Sequence, residues 1–225
     1  MAVKITADTR FISRRVIAKV IAAYDDPITR AYCWGRFRIL RQRFLIEIGQ
    51  YLPHSGAVLD IGCGFGLFSL YYAQSIPELR IHGVDINRKR IIQARKAAAK
   101  LNLANVHYEV DNATTLTLPG KLDTAYMLDL IHHIPRSAVY PLLKQIHSNL
   151  RPGGRLIIKD VDTRPAYKRW FTYLLDKAMD PTAQVNYWEC EELLALLDNI
   201  GFEVFTHTME DVLPYPHQLY ICQKV

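Results

Sequence analysis

From Ala57 to Val161 the chain alternates short apolar runs with helical patterns, and this alternation constrains the fold more than any other feature. The runs are AVLDI (57–61), RIHGVDI (80–86), NVHYEV (105–110), LDTAYML (122–128) and GRLIIKDV (154–161), with helical spacing over 66–76, 88–101 and 136–149. Strands that are apolar on both faces and separated by helices form a parallel sheet with helices packed on each side. Asn87 is placed to cap RKRIIQARKAAAK, an Ala-rich stretch of high helix propensity. Residues 162–184 predict a helix with an irregular tail, residues 190–199 a helix, and FEVFTHTM and QLYICQKV a closing hairpin around EDVLPYPH. A chain of 225 residues, 50% hydrophobic, holds one substantial core and a small addition.

That addition is residues 1–51, a helical cap ahead of a domain over 52–225. Ile12, Val16, Ile17, Val20, Ile21 and Tyr24 share one helical arc, while Arg14, Arg15 and Lys19 occupy the opposite one. A second helix over about 28–51 carries Trp34, Phe37, Leu40, Phe44 and Ile48 between arginines. The formal net charge of +6 is concentrated here: the first fifty residues hold ten Lys and Arg against four Asp and Glu, and the rest of the chain balances at eighteen of each. A basic segment of this kind suits phosphate, an anionic membrane surface or an acidic partner, unless it is simply a solvated face. No apolar run approaches the length of a membrane span, and the N-terminus has no signal-peptide core, so a cytoplasmic protein, soluble or peripheral to a membrane, is expected. The four cysteines lack the spacing of a zinc site or a disulfide framework and are read as reduced, with no metal site expected.

The stretch AVLDIGCGFGLFSLYYAQ places Gly62, Gly64 and Gly66 between a strand and a helix, where bare backbone and helix N-terminal amides can approach a nucleotide-like ligand. The dinucleotide fingerprint G-x-G-x-x-G has Leu67 at its third position, which weakens an NAD reading without removing it. Asp60 just ahead of the loop repels a pyrophosphate and suits an ammonium group. Asp85, ending the second strand, is placed to accept from ribose hydroxyls, and Asp111 follows the third strand where an acceptor meets an exocyclic adenine amine.

Taken in order, VLDIGCGFG, GVDIN, VDNATTL, LDTAYMLDLIHHIP and LRPGGRLIIKD resemble the motifs of class I S-adenosylmethionine-dependent methyltransferases over about residues 55–161. The resemblance implies an α/β Rossmann-like seven-stranded sheet of order 3-2-1-4-5-7-6, its last inserted strand antiparallel, helices on both faces and an N-terminal helical extension. It also implies S-adenosyl-L-methionine as cofactor. Asp60, Gly62, Cys63, Gly64 and Gly66 would hold the methionine part, Asp85 the ribose, and Asp111, Asn112 and Ala113 the adenine, with Ile86 also lining the cofactor. Leu128 and Asp129 would lie beside the sulfonium.

Methyl transfer needs an aligned acceptor about 3 Å from the methyl carbon and, for a protonated acceptor, a base. His132 and His133 follow the fourth strand, at the sheet edge where open α/β folds bind ligands, and His133 is the first candidate for the base. Tyr215 and His217, in the hairpin turn, are further candidates. There is no N/D-P-P-Y after the fourth strand, no Pro-Cys nucleophile and no Asp/Asn cluster of a magnesium site, so nucleic-acid bases are unlikely substrates and metal-free catalysis is expected. LIHHIP resembles the corresponding element of small-molecule and lipid-precursor methyltransferases. The expected reaction is methylation, on oxygen by preference, of a small apolar or aromatic intermediate, free, lipid-like or delivered by an acidic acyl carrier protein. An NAD-dependent oxidoreductase and a non-catalytic cofactor- or RNA-binding module are the alternatives. The two N-terminal helices are expected to close over the acceptor pocket, so that deleting residues 1–27 would spare cofactor binding and abolish transfer.

Overall fold

The computed structural model describes residues 13–118, 120–164, 167, 170, 173–174, 185–209 and 216–225. Most of the helix expected over 162–184, and Tyr215, lie outside the described residues. The strands among the described residues are β1 (Gly56–Ile61), β2 (Leu79–Asp85), β3 (Val106–Val110), β4 (Leu122–Leu128), β5 (Leu150–Val161), β6 (Phe202–Thr208) and β7 (His217–Lys224). They form one sheet in the order β3-β2-β1-β4-β5-β7-β6, as expected. β1 with β2, β2 with β3, and β4 with β5 pair parallel, whereas β7 runs antiparallel to both β5 and β6. The helices are α1 (Arg14–Ala23), α2 (Pro27–Gly49), α3 (Leu67–Ser75), α4 (Arg88–Lys100), α5 (Arg136–Asn149) and α6 (Cys190–Ile200). Two compact units emerge, one within residues 1–110 and the other within 111–225.

In the first unit, the N-terminal helices start where the sequence provides caps. The Ser13 side chain accepts from the Val16 N–H, and Asp26 accepts from Thr29 with Pro27 at the first helical position. α2 lays Phe37 and Phe44 on α3: the Phe37 ring lies 6.4 Å from Phe68 and 6.1 Å from Tyr71, and Phe44 lies 5.2 Å from Phe68. The buried Tyr72 hydroxyl donates to the Leu45 carbonyl at 3.1 Å, fixing the two helices in register. Trp34 and Ile28 face outward on α2, as do Arg30, Arg38 and Arg43. Asn87 caps α4 as its position predicts, accepting from Lys89 and Arg90.

In the second unit, β5 begins at Leu150, four residues before the expected start, because Leu150 pairs with Leu122 ahead of a register shift at Leu122/Thr124. The turn after β4 is a single helical turn, Ile131–His133, and α5 follows at Arg136. No helix among the described residues is long and apolar enough to cross a membrane.

Candidate functional site

The glycine loop is held by hydrogen bonds from the neighbouring strand. The amides of Gly62 and Cys63 both donate to the Val84 carbonyl, at 2.8 and 3.0 Å, and the Gly66 amide donates to the Cys63 carbonyl. Gly62, Gly64 and Gly66 all have positive φ, at 75°, 56° and 74°. Gly66 has no room for a side chain, because a Cβ there would lie 2.5 Å from the Tyr108 hydroxyl. That hydroxyl is buried between Ser69 (2.9 Å) and the Gly66 carbonyl (3.3 Å), so its ring packs under the loop. Gly83 on β2 is cleared for the same ring, since a Cβ there would lie 2.6 Å from it.

Asp85 shapes the loop directly. One carboxylate oxygen accepts from the Gly64 amide at 2.8 Å and the other from the Asn87 amide at 2.8 Å. Each carboxylate oxygen has a second lone pair, so both bonds leave acceptor capacity for hydroxyls. Ile86, the next residue, is 70% exposed. Asp60 is buried at the end of β1, and the Cys63 thiol between them is pushed well up by burial, then by Asp60 and Asp85. That thiol stays protonated and unreactive at neutral pH. The loop also receives a bond from the N-terminal extension: the Tyr24 hydroxyl donates to the Phe65 carbonyl at 2.9 Å, and Tyr32 lies 5.4 Å from the Phe65 ring.

In the second unit, Asp111, Asn112 and Ala113 form the start of a turn in which Asn112 accepts from the Thr114 amide and hydroxyl, each at 3.0 Å. Leu128 ends β4, and Asp129 follows it with φ of 57°, a left-handed conformation that Asp tolerates better than most residues. The Asp129 amide donates to the Lys159 carbonyl, and the Lys159 ammonium donates to the Asp129 carboxylate at 2.6 Å. Lys159 is fully buried on β5 and also donates to His217 Nε2 at 2.8 Å. Because an ammonium can only donate, this bond makes Nε2 the acceptor and leaves the ring proton of His217 on Nδ1. His217 is thus held inside a cluster with Lys159 and Asp129 and is itself 2% exposed.

The two adjacent histidines have different surroundings. His132 is buried, its Nδ1 bound to the Asp160 carboxylate and its amide 3.3 Å from the other oxygen of that group. His133 is exposed, with its ring centroid 4.0 Å from that of His132. Asn186 and Tyr187, of the NYWE segment, close around this turn: the Asn186 amide donates to the His132 carbonyl at 2.7 Å, and Tyr187 lies 5.7 Å from the His132 ring. Arg136 holds the same segment, donating to the Tyr187 carbonyl and lying 4.4 Å over the Trp188 ring. Lys159 and Asp160 were not legible as site residues, since within GRLIIKDV they read only as the end of a strand. A buried cation and anion side by side on a central strand require partners, and this is the signal the run carried.

The methyltransferase domain family matches residues 58–154. Over those residues the chain is similar to that family. A 2-methyl-6-phytyl-1,4-hydroquinone methyltransferase of Synechocystis is 27% identical over 184 residues, covering 80% of this chain and 51% of that protein, so the chain spans about half the length of this curated relative. Magnesium protoporphyrin IX methyltransferase of Synechocystis, solved with bound S-adenosylhomocysteine, superposes with a TM-score of 0.62 at 21% identity over 81% of this chain and 80% of that one. Geranyl diphosphate C-methyltransferase of Streptomyces coelicolor, also solved with S-adenosylhomocysteine, gives 0.68 at 15% identity over 82% and 77%. The fold is shared with these two methyltransferases.

Proposed function

We propose that the chain transfers the methyl group of S-adenosylmethionine to a small apolar or aromatic acceptor, with oxygen the favoured acceptor atom. The observation that carries this reading is the loop Gly62–Gly66, folded onto the Asp85 carboxylate within a matched methyltransferase domain. The residues present suit the cofactor. Buried Asp60 offers a carboxylate to its ammonium, Asp85 keeps lone pairs for ribose hydroxyls, and exposed Ile86 offers an apolar surface to the base. Gly62, Cys63, Gly64 and Gly66 line the methionine end, and Asp111, Asn112 and Ala113 take the adenine, with Leu128 and Asp129 near the sulfur. The hydroquinone relative supports an aromatic, lipid-like acceptor.

When bound, the cofactor supplies an electrophilic methyl on a sulfonium. A hydroxyl acceptor would then need a base on this chain to take its proton. His133 is exposed and takes that role, while His132, fixed by Asp160, backs its ring. Lys159, itself bonded to His217, holds the Asp129 carboxylate beside its left-handed backbone. The basic N-terminal helices suit an acidic carrier protein or an anionic membrane surface as the source of the acceptor, and salt would weaken either contact.

Calorimetry with S-adenosylmethionine and NAD, together with methyl-labelled transfer to a panel of phenols and quinols, tests the reading. Binding of the methyl donor alone and label on a phenol are expected. His133→Ala should lower kcat by about 10²–10⁴-fold while leaving cofactor affinity near wild type. Binding of NAD in place of the methyl donor, or salt-sensitive RNA binding with no methyl transfer, would overturn it.

A further inference from the structure

Among the described residues β3 is an edge strand of the sheet, paired with β2. Its side chains alternate: Tyr108 points under the glycine loop, and His107 and Glu109 point to the opposite face, where both are exposed. In the parallel register His107 pairs with His82 and Glu109 with Val84. His82, half-buried on β2, therefore shares the open face with the two β3 residues. Its Nε2 lies 3.5 Å from a Glu109 carboxylate oxygen, and its ring stacks on that of His107 at 5.4 Å and 23°. One ligand atom from each of the three residues falls within 4.8 Å of the other two.

We propose that His82, His107 and Glu109 form a divalent metal site, selective for Zn²⁺ and similar borderline ions. Two imidazoles and one carboxylate make a three-ligand protein set that leaves a fourth position to water, and this donor mixture disfavours Mg²⁺ and Ca²⁺, which take oxygen ligands. Zinc bonds of about 2.0–2.2 Å at tetrahedral angles put ligand atoms about 3.4 Å apart. The His82–Glu109 pair already has that spacing, and His107 and Glu109, being exposed, can rotate to complete it at little packing cost. The two-residue spacing within β3 and the rung across to β2 are what put all three on one face, a placement no single stretch of sequence displays. The bound ion ties the edge strand to the strand that ends in Asp85, so it stabilises this part of the sheet without touching the glycine loop.

The test uses the full chain and ZnCl₂, followed by calorimetry and thermal unfolding. One equivalent of Zn²⁺ should bind and raise Tm, and MgCl₂ should do neither. His107→Asn, an exposed change expected to leave circular dichroism and S-adenosylmethionine affinity as in wild type, should weaken Zn²⁺ by at least the roughly 10- to 100-fold that loss of even an outer-shell partner costs a metal site. Glu109→Gln should weaken it in the same direction. Unchanged Zn²⁺ affinity in His107→Asn would assign the ion to other histidines or thiols and overturn the site, as would no binding by the wild type up to about 1 mM.

Discussion

Asp85 holds the loop and, in the proposed function, the ribose, with one carboxylate serving both the Gly64 amide and the ligand. Its removal should act on both. Asp85→Ala is expected to weaken S-adenosylhomocysteine by about 10- to 100-fold, since a hydrogen bond to a charged group contributes roughly 1.5–3 kcal/mol. Calorimetry with the ligand and with an analogue lacking the ribose hydroxyls separates the two effects. If the carboxylate meets the ribose, the two losses are strongly non-additive; equal losses for both ligands would place the ribose elsewhere. Asp85 was legible in the sequence because an acid at the end of the second strand has one structural position in such a sheet. Gly83 was not, since its reason for being glycine is Tyr108, a residue 25 positions away that only strand pairing brings beside it. The same holds for Lys159, which is explained by Asp129 and His217 and by nothing adjacent to it.

Helices and strands carry their instructions locally, and the elements followed the pattern closely: β4 and α5 span the expected residues, and α4 starts at its Asn87 cap. The exception, the early start of β5, arises because pairing with Leu122 extends the strand through LRPG, whose composition reads as a turn. Which side of α2 faces inward was harder to read, since aromatic and basic residues lie all around it. The contacts decide it. Phe37→Ala, removing a ring buried against Phe68 and Tyr71, should destabilise the protein by about 3 kcal/mol or more in urea unfolding, while Trp34→Ala, at 58% exposure, should change little. Similar losses at both positions would reverse the assigned face. A pH dependence arises at the end of α5, where burial and then the Lys224 ammonium hold the His147 imidazole below its ordinary range. With the folded value below the unfolded one, the unfolded chain binds more protons between them, so this contribution is full above about pH 6.5 and is lost as pH falls through the folded value. His147→Gln should flatten the stability profile in that acidic window, measured by denaturant midpoints from pH 5 to 8; an unchanged slope would remove His147 as its source.

At the scale of the whole molecule, the question is what the N-terminal helices do for the domain that follows. As a detachable cap, they would leave the cofactor loop unchanged when removed, the result the sequence suggested for a deletion of residues 1–27. The structure ties α1 and α2 into the same compact unit as the loop, with Val20, Ala23 and Tyr24 buried and the Tyr24 hydroxyl bound to the Phe65 carbonyl. That bond could not be foreseen, because a tyrosine on an apolar helical arc reads as packing alone. The Arg30 guanidinium reinforces it by donating to the Tyr24 carbonyl at 3.0 and 2.7 Å, locking the corner between the two helices. Deleting residues 1–27 should therefore weaken S-adenosylmethionine binding as well as abolish transfer. Tyr24→Phe tests the bond at its donor: the ring and its burial stay, while the hydroxyl that serves the loop and meets the Cys33 thiol is lost. A neutral hydrogen bond of this kind contributes about 0.5–1.5 kcal/mol, so the variant should bind the cofactor roughly 2- to 10-fold more weakly with its unfolding midpoint only slightly lowered. Calorimetry on the wild type, Tyr24→Phe and the deletion gives the ordering, with the deletion weakest. If the deletion binds the cofactor as tightly as the full chain, α1 is a cap that the loop does not need, and the coupling through Tyr24 is lost from this account.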